Sequence, residues 1–438
     1  MDPLVDELLA YARQELVVLR EQGCDTWEWE RMIELFDRDP GPDPLKRLRG
    51  LLAGIAALEP AEDFAYEETS SPESIRARRP EGPRRIAVAL PPEALDDRTL
   101  GAWQGRVAGC MLGKPVEGWS REKMLDLLDV CGIEELTDYF PEPDEDRPGL
   151  RYHDSSRGAL RGRIRGAVRD DDIDYTIIGL CILERHGREF TPRQVADFWL
   201  EHLPYMKTYT AERAAYRNFV EGVWPPASAT RLNPFREWIG AQIRADAFGY
   251  ACPGRPEEAA SLAFKDACIS HTRNGIYGEM WVAAMLAAAF VADRPEKAIR
   301  IGLTEIPANC RLAEAVNQVL DWREAGLSAR DATTALLAEF GHYHAVHVIN
   351  NAAIVAMALL WGGKDFSRTI GLAVEAGLDT DCNGATAGSV LGAIIGAGAI
   401  PAHWTDPLED RLATIVAGQS DLTISGLAAR TQAVQAMS

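Results

Sequence analysis

The chain has 438 residues, 47% of them hydrophobic, with eight cysteines and a formal net charge of −20 at pH 7. That is enough for one large core or two ordinary ones, and the acidic balance excludes a broad nucleic-acid surface and an anionic membrane surface. The cysteines are scattered, with no C-x-x-C pair, and read as the reduced thiols of a cytoplasmic protein.

The opening, Met1-Asp2-Pro3-Leu4, lacks the basic and apolar regions of a signal peptide. Residues 1–57 read as helices: Leu4, Leu8, Leu9, Leu16 and Leu19 recur at roughly three- and four-residue steps, and Trp27, Ile33 and Phe36 continue beyond Gly23. Residues 58–96 turn to Pro, Glu, Ser and Arg, as a linker or extended strap does, which leaves 1–57 as an N-terminal helical appendage. The main body, 97–438, opens on a helix with Gly101, Gly105, Gly109 and Gly113 along one side. Four-residue spacing on a helix lets a neighbour come close. Pro115 ends that helix and leaves Glu117 on the exit loop. Residues 137–169 read as a long loop, acidic over 141–149 and basic over 157–166. The basic part suits phosphate, or a cover over the acids that follow.

Asp170-Asp171-Asp172-Ile173-Asp174 crowds carboxylates before an apolar run of helical length. A like-charged pair about 4 Å apart costs roughly 4 kcal/mol at an effective dielectric near 20, so such a cluster invites protons or a cation. From Thr191-Pro192, an N-cap with Pro at N1, nearly everything reads as helix: 211–222, an aromatic-rich 233–246, and 257–269. No alternating strand run appears, and the fold class is all-α. The 270–279 linker carries Ser270, His271, Asn274 and Tyr277, fit for a ligand or for an interhelical turn. The apolar run Met280 to Ala292 is too short for a membrane span. His344 and His347 would share a face if helical. They read better as hydrogen-bonded histidines of a pocket or core than as zinc ligands, since no Cys or Glu completes a set.

The densest chemistry lies at Gly377-Leu378-Asp379-Thr380-Asp381-Cys382-Asn383-Gly384, ahead of a small-residue helix. Two acids, a hydroxyl and an amide exceed what capping requires and point to a hard cation such as Mg²⁺, Mn²⁺ or Ca²⁺. Two separately capped helices with solvated acids is the competing reading.

In order, Gly101…Gly113-x-Pro115-x-Glu117, Asp170-Asp171-Asp172, Ser270-His271 and Gly377-x-Asp379-Thr380-Asp381 resemble the ADP-ribosylglycohydrolase family over about 97–404. The resemblance implies an orthogonal multi-helix bundle with two Mg²⁺ ions, Mn²⁺ being the substitute, at the bottom of a cleft. It implies hydrolysis of the glycosidic bond of an ADP-ribosyl group, on a protein side chain or a small conjugate, through an oxocarbenium-like state. Asp170, Asp171, Asp172, Asp379 and Asp381 would ligate metal, Glu117 or Asp171 would act as base, and Ser270, His271, Asn274, Tyr277, Asn383 and Gly384 would hold diphosphate or adenosine. Three positions depart from the family's pattern. Its opening Thr is Asp170, an Asp of its first glycine motif is Cys110, and its closing Thr ligand is Cys382, whose thiol suits magnesium poorly. An ADP-ribose-binding pseudoenzyme, or a metal-dependent hydrolase of another ribosyl or phosphorylated small molecule, are the competing classes.

Overall fold

The computed structural model describes residues 2–142, 149–152 and 154–437. Most of the acidic stretch expected at 141–149 therefore lies outside the described residues. Among those described there are twenty α-helices and no sheet, only three isolated bridges, so the protein is all-α.

Two helices set the frame. Pro92–Gly113 and Thr380–Ile395 are buried over most of their length and lie antiparallel, glycine against glycine. A Cβ added at Gly109 would sit 1.9 Å from the Gly384 carbonyl oxygen, and one at Gly105 would sit 2.1 Å from that of Gly388. On the facing helix, a Cβ at Gly392 would lie 2.0 Å from the Gly101 oxygen. Only residues without side chains allow two backbones this close. The antiparallel register brings the end of the first helix to the start of the second, so the loop bearing Glu117 meets Asp379 and Asp381.

A third helix, Asp171–His186, is pinned to this pair by a fully buried arginine. Arg106 donates to the carbonyl oxygens of Asp172 (2.7 Å) and Ile243 (2.6 Å) and pairs with Asp246 Oδ2 at 2.9 Å. A buried guanidinium is tolerated when its donors are matched in this way. The helices Asn274–Ala289 and Val348–Gly362 are buried on all sides and complete the core.

One helical expectation is corrected, and one conditional reading is decided. Residues 233–246 form turns and a short 3₁₀ segment, Gln242–Arg244, rather than one helix. Their backbone bonds across to another segment, Ile239 N–H to Val346 O (2.9 Å) and Val348 N–H to Glu237 O (3.1 Å), and so does not close onto itself. For the same reason 342–347 is not helical. His347 caps Val348–Gly362, its Nδ1 accepting from Ile349 N–H, while His344 stacks on Trp238 with ring centres 4.1 Å apart.

The segment before the first core helix is a docked strap containing a short helix, Pro72–Arg78. Glu67 N–H bonds Asn309 O, Ile86 N–H bonds Gly254 O, and Arg79 and Arg84 converge on buried Glu305. The core helix starts at Pro92, five residues ahead of the expected boundary. The appendage is three helices, Pro3–Glu21, Trp27–Arg38 and Pro44–Ile55, around a small core of its own that includes Leu9, Leu16, Ile33, Phe36 and Leu48. It meets the body through Glu15–Arg236 and Gln22–Glu237. No cysteine is in a disulfide, and no helix among the described residues is long and apolar enough to cross a membrane.

Candidate active site

The turn before Asp379 puts Gly377 (φ +79°) and Leu378 (φ +64°) in the left-handed region. For leucine this costs roughly 1–2 kcal/mol. It is held by a reciprocal pair of bonds to the exit loop of the first core helix: Leu378 N–H to Trp119 O and Gly118 N–H to Leu378 O, both 2.9 Å. These bonds fix Glu117 beside Asp379. From behind, Asn351 Oδ1 accepts from Asn383 Nδ2 (2.7 Å) and Asp379 N–H (3.4 Å).

The result is a cleft of about 910 Å³. Its lining side chains include six carboxylates, of Glu117, Asp171, Asp172, Glu212, Asp379 and Asp381, against three bases, Lys114, Arg169 and Lys207. At its foot, ligand atoms of Glu117, Asp379 and Asp381 lie within 4.8 Å of one another, and so do those of Asp172, Asp381 and Cys382. At such separations each ionised pair repels by roughly 3–4 kcal/mol with an effective dielectric near 20. The proton affinity of the carboxyl groups rises in response. Burial first, then neighbouring acids, pushes those of Asp171, Asp172 and Asp381 well above the usual carboxylate range. Glu117 is exposed as a residue, yet desolvation by the concave walls, then Asp379 and Asp170, pushes its carboxyl up to about 7.

The expected site residues divide. Asp172, Asp379, Asp381 and Glu117 converge on the foot of the cleft. Asp171 lines the wall, its carboxylate 3.8 Å from the Arg169 guanidinium. Asp170, expected as a ligand, stands near these acids with both oxygens engaged: Oδ1 accepts from Asp172 N–H at 3.0 Å as the helix cap, and Oδ2 pairs with Lys114. The substrate contacts expected in the 270–277 linker are buried behind the cleft. Ser270 Oγ bonds His271 Nδ1 (2.8 Å), and Asn274 joins Glu237 to Leu312 N–H. Tyr277 ties the strap down through Thr69. Hydroxyl, imidazole and amide here satisfy buried backbone and charge, so the linker is an interhelical turn. Asn383 and Gly384 are likewise interior, the one held by Asn351 and the other packed on Gly109.

Several lining residues escaped the sequence reading: Lys114, Arg169, Tyr175, Glu212 and Trp238. Tyr175 stands one turn after Asp171 on the same helix, a spacing that could have flagged it. Lys114, three residues before Glu117, and Arg169, next to Asp170, also carried a local sign; Glu212 and Trp238 reach the cleft from separate elements.

The donor sets differ in fitness for a hard divalent cation. Glu117, Asp379 and Asp381 offer oxygen alone and fit Mg²⁺ or Mn²⁺. The other set includes the Cys382 thiol, which donates to Asp172 Oδ2 at 3.2 Å and is held protonated by burial and then Asp172. A protonated thiol is not a ligand for such an ion.

A family model described as ADP-ribosylglycohydrolase matches residues 91–435. An uncharacterized protein from Archaeoglobus fulgidus is 26% identical over 315 residues, covering 70% of this chain and 90% of that protein. A solved structure titled an ADP-ribosylglycohydrolase-related protein complex is 21% identical, with a TM-score of 0.46, over 78% of this chain and 98% of the other.

Proposed function

The chain belongs to the ADP-ribosylglycohydrolase family, and on that premise we propose that it is a Mg²⁺-dependent glycosidase hydrolysing the glycosidic bond of an ADP-ribosyl group. The observation that carries this reading is the convergence of Glu117, Asp172, Asp379 and Asp381, from three distant stretches of chain, at the foot of one large cleft. A cleft lined by twice as many acids as bases repels a diphosphate, so the substrate requires added positive charge. Glu117, Asp379 and Asp381 would hold a divalent cation, which would supply that charge.

The remaining work falls to side chains of this chain. Glu117, with a carboxyl titrating near neutrality, suits a general base that takes a proton from the attacking water. Asp171, partly exposed on the wall, positions the same water. Arg169, paired with Asp174 at 2.7 Å, and Lys207 beside it line the cleft as the bases available to a diphosphate. The oxocarbenium-like charge that develops on the ribose is stabilised by the ring of carboxylates around it.

Turnover of ADP-ribosyl-arginine, ADP-ribosyl-serine and O-acetyl-ADP-ribose, with Mg²⁺ and with chelator, tests the proposal. Product from at least one of them, abolished by chelation, is expected. The thiol at Cys382 favours one second reading, a protein that binds ADP-ribose and cuts nothing. Heat of ADP-ribose binding in calorimetry without product from any substrate would select it.

Glu117→Gln is expected to lower kcat about a hundredfold, the lower end of general-base effects, and to weaken Mg²⁺ binding, since the amide offers the ion a neutral oxygen in place of a carboxylate. Undiminished turnover would remove Glu117 from the mechanism. Tyr277→Phe provides the contrast. It is expected to reduce stability by about 1 kcal/mol through the lost strap bond and to leave kcat and ADP-ribose affinity intact. Urea unfolding and calorimetry read the two effects separately.

A further inference from the structure

The two donor groups at the foot of the cleft share Asp381, and they are not equivalent. In the first, Glu117, Asp379 and Asp381 offer three carboxylates and nothing else. In the second, Asp172 is already engaged. One oxygen accepts from the Cys382 thiol at 3.2 Å, and the other lies 3.4 Å from the buried Arg106 guanidinium. Beside it, Asp170 turns to the Lys114 ammonium, a residue that lines the same cleft. Lys114 thus puts a positive charge against Asp170, and Arg106, paired more closely with Asp246 at 2.9 Å, adds a second one near Asp172. Among the described residues, no cation is hydrogen-bonded to Glu117, Asp379 or Asp381. The wall of the cleft near Asp171 and Glu212 carries an independent sign of an occupant: Tyr175 lines it, is 2% exposed, and its hydroxyl has no hydrogen-bond partner among the described residues. A buried hydroxyl without a partner is costly unless something polar reaches it.

We propose that this chain takes up a single divalent cation, on Glu117, Asp379 and Asp381, and that the Lys114 ammonium and the Cys382 thiol close off a second position beside Asp172. The inference rests on the divalent-cation reading given under the proposed function and departs from the two-ion centre that the resemblance implies. It assigns Lys114 as a positioning residue: its ammonium occupies an oxygen of Asp170 and puts one positive charge where a second ion would bring two. One ammonium is a singly charged, strongly hydrated point charge that cannot bridge two sugar hydroxyls as an ion does. The ribose is then gripped at one position.

Titration of the full-length protein with Mn²⁺, followed by equilibrium dialysis and electron paramagnetic resonance, decides the matter without an activity assay. One Mn²⁺ per chain, with the hyperfine pattern of an isolated ion, is expected. Two per chain, with the broadened signal of a coupled pair, overturns the inference while leaving the divalent-cation reading standing. No bound Mn²⁺ overturns both. The triple variant Lys114→Ala, Asp170→Thr, Cys382→Thr removes the ion pair as a unit, so that no buried charge is left alone. It is expected to bind twice as much Mn²⁺ as the parent; a variant with unchanged circular dichroism and melting that still binds one ion would refute the role given to Lys114 and Cys382. Should the triple variant not fold, the stoichiometry and spectrum of the unaltered protein still decide the ion count.

Discussion

Asp381→Asn is expected to lower kcat/KM about a thousandfold and, in the metal-free protein, to flatten the loss of stability with rising pH. Asp381 is the residue common to both donor groups at the foot of the cleft and is almost fully buried. Burial first, then Glu117, Asp170 and Asp379, raises its carboxyl well above the ordinary value. The direction of the pH effect follows from linkage. A carboxyl raised in the folded state contributes stability that is complete below its unfolded value and lost as pH climbs through the folded one. In chelator, the parent protein's melting temperature should therefore fall between mildly acidic and mildly alkaline buffer. Asparagine cannot ionise, so the variant should fall less. The same substitution should abolish the rise in melting temperature that Mg²⁺ gives the parent, since binding to the native state stabilises by mass action. Retained turnover would take Asp381 out of the mechanism. A fall with pH as steep as the parent's would show that its charge is not what the fold resists. The residue thus trades stability for function, a pattern common where like charges are gathered for a ligand.

The largest structural effect is expected at Gly109. A Cβ there would lie 1.9 Å from the Gly384 carbonyl oxygen, a backbone atom that no rotamer change can move. Gly109→Ala must part the two core helices, and overpacking of this kind costs about 3 kcal/mol or more. Their separation also withdraws Asp379 and Asp381 from Glu117, so activity should fall along with the urea midpoint. Gly50→Ala is the matched control. Gly50 lies within the appendage helix Pro44–Ile55, and a Cβ there meets nothing within 4 Å. Alanine at such a helical position should raise stability by about 0.5–1 kcal/mol, through the entropy of the unfolded chain. An unchanged midpoint for Gly109→Ala would refute the glycine-to-glycine packing.

Local pattern carried much of this protein. The glycines at four-residue steps announced a close helix contact because helical periodicity alone puts them on one side. The acids at 170–172 and 379–381, each ahead of an apolar run, announced a polar centre because like charges do not gather without a cause. The all-α class followed from the absence of any alternating run. Where one residue type serves two purposes, pattern failed. Ser270, His271, Asn274 and Tyr277 have the chemistry of a ligand loop and equally that of a buried turn. Their burial behind Glu212 and under the strap made them the second. The segment 233–246 looked helical by composition, but its N–H and C=O groups found partners at 346–348, more than a hundred residues away.

What the sequence by itself determined is therefore the kind of elements and the existence of an acid-rich centre, since both rest on neighbours along the chain. Only the tertiary structure decided which acids face the cleft. Lys114 engages Asp170, Arg106 and Cys382 engage Asp172, and Asp379 and Asp381 are left turned toward Glu117. Charge and hydrogen bonding act through space. The partners that set each carboxylate's direction come from helices whose positions no local pattern records.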